Sequence, residues 1–311
     1  MNGSSRMAHY LTGENMGALD GRIAVITGAG RGIGREHALL FAKEGAKIVV
    51  NDLGGAADGE GADATPAQQV VNEIKALGGE AVANYDDIAD WEGGQRLINT
   101  AIETFGDIHV LVNNAGILRD RVIANMTAEE WDAVIRVHLR GHFVPTRWAA
   151  AYWREQAKSG KTVNASIINT SSTSGLLSNP GQSNYGAAKT GIATFTEIID
   201  KELRKYGVRA NAIAPAALTR LTAPLGGRLS EKPEGFDKGD PGNISPMVAY
   251  LAMADCPIHG KAFFVYGGEV HLFQPYTIVD KVAVDHRWSV SELKAAADKW
   301  GDIEWNQSIP M

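Results

Sequence analysis

The 311-residue sequence has a single cysteine, Cys256, so it cannot form an internal disulfide. That removes the stapled extracellular scaffolds and suits a reducing compartment, the cytoplasm. It also lacks any run near the roughly 18 apolar residues needed to span a membrane. Positive charge is not in excess: 30 Lys and Arg against 36 Asp and Glu leave a formal charge of −6. Nucleic acid and membrane are therefore not expected partners. His9, His37, His109, His142, His259, His271 and His286 are scattered without metal-ligand spacing, and no metal is expected. The first 20 residues hold no apolar core and read as a flexible leader rather than a secretory signal. The closing Ser-Ile-Pro-Met is not a peroxisomal address of the Ser-Lys-Leu type. What is present, 44% hydrophobic and 21% charged residues, suits one large globular domain or two small ones.

Apolar runs and helical patterns alternate from about residue 22. Strands are expected at 22–27, 47–51, from Val82, 108–112, 166–170, 209–214 and 262–266. Between them, a helix from Arg35 to Glu44 is closed by Gly45. Thr65 and Pro66 read as N-cap and first residue of a helix whose apolar face is Val70, Val71, Ile74 and Leu77. Asp90 is placed to cap the helix of Leu97, Ile98 and Phe105. Thr127 with Glu130 forms a capping box at the head of one long helix. A further helix begins near Asn184, and a last one follows Ser245–Pro246. Strands apolar on both faces, alternating with helices, predict an α/β fold with a doubly wound parallel sheet over residues 21–270. Two stretches break the rhythm. Residues 216–245 make a long connection on the sheet's carboxyl side, where a substrate lid is expected. Residues 271–311, rich in Trp, Tyr, Phe and Val, are expected to pack on the body or on a partner subunit.

Between the first strand and helix lies Thr27-Gly-Ala-Gly-Arg-Gly-Ile-Gly34. Glycines there let a pyrophosphate approach backbone N–H groups at a helix N-terminus, where the dipole favours anions. Asp52 closes the next strand, where an acidic side chain binds a ribose hydroxyl. Arg31 pulls toward the extra phosphate of NADP, but Asp52 would face that phosphate. Like charges about 4 Å apart cost on the order of 4 kcal/mol at intermediate dielectric. Arg31 can turn to solvent and Asp52 cannot leave its strand end, so NAD is the expected cofactor.

Tyr185 and Lys189 stand four apart at the start of a helix and share one face. An ammonium there is expected to lower the phenol's pKa from about 10, so that Tyr185 takes a hydroxyl proton while hydride leaves the carbon. Ser172, just past a strand end, is placed to hold the substrate oxygen. The same spacing occurs on solvated helix faces; the glycine turn and the sheet are what give it weight here.

Together, the motif at Thr27–Gly34, Asn113-Asn-Ala-Gly116, and Ser172 thirteen residues before Tyr185 resemble the short-chain dehydrogenase/reductase superfamily over residues 20–270. The resemblance implies a Rossmann fold and a nicotinamide cofactor. It places Gly28, Arg31, Gly32, Ile33, Gly34, Asn114, Ala115, Gly116, Tyr185 and Lys189 at that cofactor. Its adenine contact falls on Asp87 and Ile88, and its nicotinamide contacts on Pro215 and Thr219. A finer likeness lies in Asn51–Gly55, Ala83–Asp86, Gly116–Arg121, Arg136–Gly141 and Gly181–Tyr185. These strings resemble the (3R)-hydroxyacyl-CoA dehydrogenase part of multifunctional enzyme type two, a subfamily also called a 17β-hydroxysteroid dehydrogenase. That implies NAD-dependent oxidation of a 3-hydroxyacyl-CoA, with a steroid-like acyl group among the options, by a homodimer or homotetramer. Two departures stand out: His138 replaces the usual tetrad asparagine, in a water-holding or a packing role, and Pro215-Ala216 replaces Pro-Gly. Rival readings are an NADPH-dependent 3-oxoacyl-carrier-protein reductase, a hydroxysteroid dehydrogenase, and a non-catalytic NAD-binding sensor or scaffold.

Overall fold

In β1 (Ile23–Thr27), alternate side chains feed two different cores. Ala24 and Ile26 join one buried cluster, and Ile23 and Val25 the other. The period-2 geometry of a strand buried on both faces produces that split. The structure is a computed structural model that describes residues 17–61, 63–219 and 235–304. Most of the expected leader (residues 1–16), positions 220–234 of the expected lid, and residues 305–311 lie outside the described residues.

After β1 come α1 (Gly32–Lys43), β2 (Lys47–Asn51), α2 (Thr65–Ala76), β3 (Ala81–Asn84), α3 (Trp91–Phe105) and β4 (Val110–Asn113). The second half runs α4 (Ala128–Ile135), a π-helical segment (Arg136–Arg140), α5 (Gly141–Lys158), β5 (Ala165–Thr170), α6 (Thr173–Leu176) and α7 (Ser183–Leu203). It ends with β6 (Val208–Ala216), α8 (Ser245–Ala252), β7 (Ala262–Tyr266) and β8 (Glu269–Leu272). The strand order is β3-β2-β1-β4-β5-β6-β7-β8. All pairings are parallel except β7 with β8. This is the doubly wound, Rossmann-like arrangement, with its switch point between β1 and β4. Phe41, Val70, Ile74 and Leu251 cover one face; Leu97, Ile98, Trp153 and Ile199 cover the other.

Local expectations are met at Asp90, whose Oδ2 accepts from the Gly93 amide at 2.8 Å, and at the Thr127–Glu130 capping box. Four differ. Thr65 is already helical and Ala64 is the N-cap, because Asp63 Oδ1 takes the Thr65 amide in the preceding turn. Leu77 lies past the end of α2 and is exposed. The expected long helix is interrupted by the π segment centred on His138. The sheet gains an antiparallel edge in β8, whose half-exposed residues carry little apolar signal.

The chain divides into two compact units at Leu272 and Phe273, two residues beyond the expected boundary. In the second unit, Ser289 and Glu292 form a capping box on α9 (Val290–Ala297). Asp280 there accepts from Trp300 Nε1 at 2.9 Å and pairs with Lys299 at 2.7 Å. Among the described residues, no helix is long and apolar enough to cross a membrane.

Candidate functional site

The turn after β1 is held by backbone and small side chains. Gly28 has φ +63°, and a Cβ there would lie 2.7 Å from Ala115 Cα. At Gly34 a Cβ would meet the Gly28 carbonyl at 2.2 Å and Asn114 Nδ2 at 2.5 Å. Both positions therefore demand glycine. Asn114 Nδ2 donates to the Thr27 and Gly28 carbonyls, and Thr27 Oγ1 accepts from the amides of Asn114 and Ala115. The Asn-Asn-Ala-Gly string thus buttresses the glycine turn. α1 begins with no side-chain cap from Arg31, so its first-turn amides keep their donor capacity.

Asp52 is fixed at the end of β2. Its Oδ2 accepts from the Gly30 amide at 2.8 Å and its Oδ1 from the Gly54 amide at 2.7 Å. Arg31 is exposed and reaches the Gly55 carbonyl. A cavity of about 350 Å³ opens here, lined by Gly28, Arg31, Gly32, Ile33, Gly34, Asp52, Asp87, Ile88, Asn114, Ala115, Gly116 and Thr219. It lies at the carboxyl ends of β1, β2 and β4, beside the switch point where such folds bind ligands. Pro215, Tyr185 and Lys189 are outside its lining. Pro215 instead sits in β6, paired with Val265.

The Arg-Val-His-Leu-Arg string supports the far end of this cleft. Arg136 donates to Asp87 Oδ2 at 2.7 Å and Arg140 Nε to the Ala89 carbonyl at 2.7 Å. Next to them, a Cβ on Gly141 would lie 2.9 Å from Ile88 Cδ1, so glycine lets α5 approach the loop. Sequence reasoning missed both arginines; their i,i+4 spacing was the available signal.

Ser172, Tyr185 and Lys189 converge at the end of β5. Ser172 caps α6 and its Oγ accepts from the Ser174 amide at 3.1 Å. Lys189 is buried and Nζ donates to the Thr170 carbonyl at 2.6 Å, 5.4 Å from the Tyr185 ring centroid. Burial pushes the Tyr185 phenol up to about 12; the Ser172 hydroxyl opposes this and the Asp120 carboxylate adds to it. Burial brings the Lys189 ammonium down to about 7. The expected lowering of the phenol is therefore not found, because desolvation outweighs the neighbouring cation. Between those two values the pair keeps one proton to share. Its zwitterionic arrangement, phenolate with ammonium, is the one that can act as a base.

His138 stands edge-on to Tyr185, ring centroids 5.0 Å apart. Its Nε2 lies 2.8 Å from the Ile117 carbonyl, and Ile117 lines the cavity, so His138 joins the cavity wall to Tyr185. Asp120 was also missed: its Oδ2 accepts from Gln182 Nε2 at 2.7 Å, tying the loop after β4 to the turn before Tyr185. Asn184 donates to the Arg119 carbonyl, and Arg119 reaches Glu60 and the Asp58 carbonyl in the loop after β2. The flanks of the expected lid meet where the Leu218 amide donates to the Gly239 carbonyl at 2.7 Å. No cluster of His, Cys, Asp and Glu suited to a metal occurs among the described residues.

Comparison with known proteins adds a family. Residues 22–226 match the family described as short chain dehydrogenase. Hydroxyacyl-CoA dehydrogenase ChsB1 of Mycobacterium tuberculosis is 43% identical over 286 residues, covering 89% of this chain and 87% of its own. Peroxisomal multifunctional enzyme type 2 of Drosophila melanogaster is 40% identical over 287 residues, covering 91% of this chain and 45% of its own. Among solved structures, a short chain dehydrogenase from Mycobacterium avium is similar at TM-score 0.82 and 49% identity, covering 93% of this chain and 97% of its own.

Proposed function

Given that this chain belongs to the short chain dehydrogenase family, we propose that it oxidises a (3R)-3-hydroxyacyl-CoA to the 3-oxoacyl-CoA with NAD. The convergence of Ser172, Tyr185 and Lys189 at the end of β5, joined through His138 to the cavity wall, carries this reading. The names of the similar hydroxyacyl-CoA dehydrogenase and multifunctional enzyme support the thioester substrate.

The cleft suits a dinucleotide. The glycine cradle, the uncapped start of α1 and the pinned Asp52 carboxylate match a pyrophosphate followed by a ribose diol. Asp52 opposes a 2′-phosphate, while the exposed Arg31 is engaged with the Gly55 carbonyl, which favours NAD over NADP. When bound, NAD supplies the acceptor for the hydride leaving the carbinol carbon. Ser172 donates a hydrogen bond to the substrate oxygen. Tyr185, as phenolate, takes the hydroxyl proton, and the Lys189 ammonium stabilises the phenolate beforehand. Residues 216–245 are assigned as the substrate-side lid, an assignment supported by the bond between its described flanks, Leu218 amide to Gly239 carbonyl.

The outer face of α5 and α7 supports assembly as a homodimer or homotetramer. A groove of about 450 Å³ there is lined by Phe143, Ala150, Phe195 and Tyr206, and Phe143 and Ile198 are exposed. The lone, buried Cys256 suits the cytoplasm.

The test is NADH formation from short, long and steroid-side-chain 3-hydroxyacyl-CoAs, with free alcohols and free steroids alongside, each run with NAD and NADP. Turnover of thioesters with NAD is expected. Activity confined to free alcohols, or a strong preference for NADP, overturns the reading.

A further inference from the structure

Between Ser172 and Tyr185 the chain makes the short helix α6 and returns through an exposed turn at residues 178–180. Ser178 is the one non-glycine residue with a left-handed backbone among the described residues, at φ +62°. It follows the C-cap of α6, and the Asn179 amide closes that end on the Ser174 carbonyl at 3.0 Å. Glycine is the usual occupant of such a position, and a serine keeps it where neighbouring contacts hold the turn.

Those contacts come from the loop after β4, distant in sequence. Asp120 Oδ2 accepts from Gln182 Nε2 at 2.7 Å, and Gln182 Oε1 accepts from Asn179 Nδ2 at 2.8 Å. The middle member, Gln182, is buried. Beside this relay the Arg121 amide donates to the Gly181 carbonyl at 2.9 Å, and Asn184 Nδ2 to the Arg119 carbonyl at 2.9 Å. A carboxylate accepts and does not donate, so Asp120 dictates which way the Gln182 amide faces. That in turn dictates Asn179, since only its NH2 group can meet the Gln182 oxygen. The flanking arginines are engaged elsewhere: Arg119 pairs with Glu60 and Arg121 with Glu130.

We propose that Asp120 is a positioning residue for the substrate: through Gln182 and Asn179 it fixes the segment that joins Ser172 to Tyr185. A substrate oxygen that reaches both of those side chains lies between the two ends of this segment, and the carbon chain attached to it runs alongside. Loosening the relay therefore weakens substrate binding more than proton transfer. The inference deepens the proposed reaction and rests on its assignment of Ser172 and Tyr185. The titratable and charged groups around Asp120 are Tyr185, Arg119, Arg121 and Glu130. Burial pushes the Asp120 carboxyl up from its ordinary pKa, and the Gln182 bond opposes that.

Asp120→Ala removes the acceptor, and Asp120→Asn keeps one at the same length. Both delete the charge that bears on Tyr185, so the difference between them reports the hydrogen bond. With Ala, KM for the best alcohol of the screen above is expected to rise about tenfold, with kcat changed less than about threefold and NADH affinity less than about twofold. Asn should recover most of that KM. Gln182→Glu sets one carboxylate against another. Relative to wild type, its KM should rise about tenfold or more at pH 8 and improve toward pH 6, where a shared proton replaces repulsion. Combining Gln182→Glu with Asp120→Asn exchanges donor and acceptor. KM should then return to within about threefold of wild type and lose the improvement on acidification.

A second readout needs no substrate. The Arg121 amide should exchange its hydrogen about tenfold faster in Gln182→Glu than in wild type at pH 8, and at the wild-type rate in the double variant. Equal KM for Asp120→Ala and Asp120→Asn, or a double variant no better than Gln182→Glu alone, overturns the proposal. So does an unmoved Arg121 amide, or a loss of NADH affinity that matches the rise in KM. If only free alcohols are oxidised, the thioester assignment fails while the KM pattern still decides the role of Asp120. If no alcohol is oxidised, the reaction assignment fails and exchange alone decides whether Asp120 holds the turn.

Discussion

The proposed cofactor cleft and the proposed proton-handling cluster occupy neighbouring strand ends, yet they are built in opposite ways. In the cleft the polar groups have partners: both Asp52 oxygens, the Asn114 amide and the Thr27 hydroxyl all bind backbone. Around Lys189, five buried polar atoms on His138, His142, Asn113 and Thr170 have none within the protein. The cleft has to present one fixed shape to a large anion, and satisfied hydrogen bonds give rigidity. The cluster is shaped by burial instead, which brings Lys189 down to about 7 and pushes Tyr185 up to about 12.

The contrast can be broken at either pole. Tyr185→Phe removes the base and should lower kcat by roughly 10³, with cofactor affinity nearly unchanged; equilibrium NADH binding alongside kinetics checks both halves. Gly34→Ala attacks the other pole. Its methyl would sit against the Gly28 carbonyl and Asn114, at a cost of about 1–3 kcal/mol, or up to about a hundredfold in cofactor affinity. Calorimetric titration with NADH should show that loss. Asp52→Ala should lower kcat/KM for NAD by about tenfold or more and raise NADP relative to it, as losing charged hydrogen bonds of about 1.5–3 kcal/mol implies. Paired kinetics with the two cofactors decides it.

The pH dependence sharpens the same comparison. Oxidation should fall about tenfold per unit below pH about 7, because Lys189 then keeps its proton while Tyr185 also holds one, and no base remains. Stability has its own window. His37, at about 3, and His138 and His142, also held low by burial, stay neutral in the folded state while their unfolded counterparts protonate below about 6.5. Stability present above that value should be lost as pH falls toward 4, read as a declining Tm. The smallest effect is expected from Arg119→Ala, which cuts the Glu60 and Asp58 links between the two regions. Since exposed ion pairs contribute about 0–1 kcal/mol, kcat/KM should drop about two- to threefold with little change in Tm.

What the sequence made legible was local or periodic. The strand, glycine turn and helix at 23–43 are contiguous, so the cradle could be read directly. Asp52 was read from its place at a strand end. Ser172, Tyr185 and Lys189 needed only that motif and the sheet. What stayed hidden depends on elements distant in sequence. Arg136 and Arg140 gain their meaning from the loop after β3. The π segment follows from tertiary packing, which periodicity does not record. The depressed Lys189 and elevated Tyr185 values follow from burial, which a four-residue spacing cannot express.

The π segment also works as an angular index. An α-helix advances about 100° per residue, so one residue more or fewer in Arg136–Arg140 would rotate α4 by that angle against α5. Arg136 would swing off Asp87 and His138 off Ile117 in the same motion. A single-residue deletion there would misalign the Asp87 end of the cleft and the surroundings of Tyr185 together, whereas the same deletion at an exposed loop tip would disturb neither.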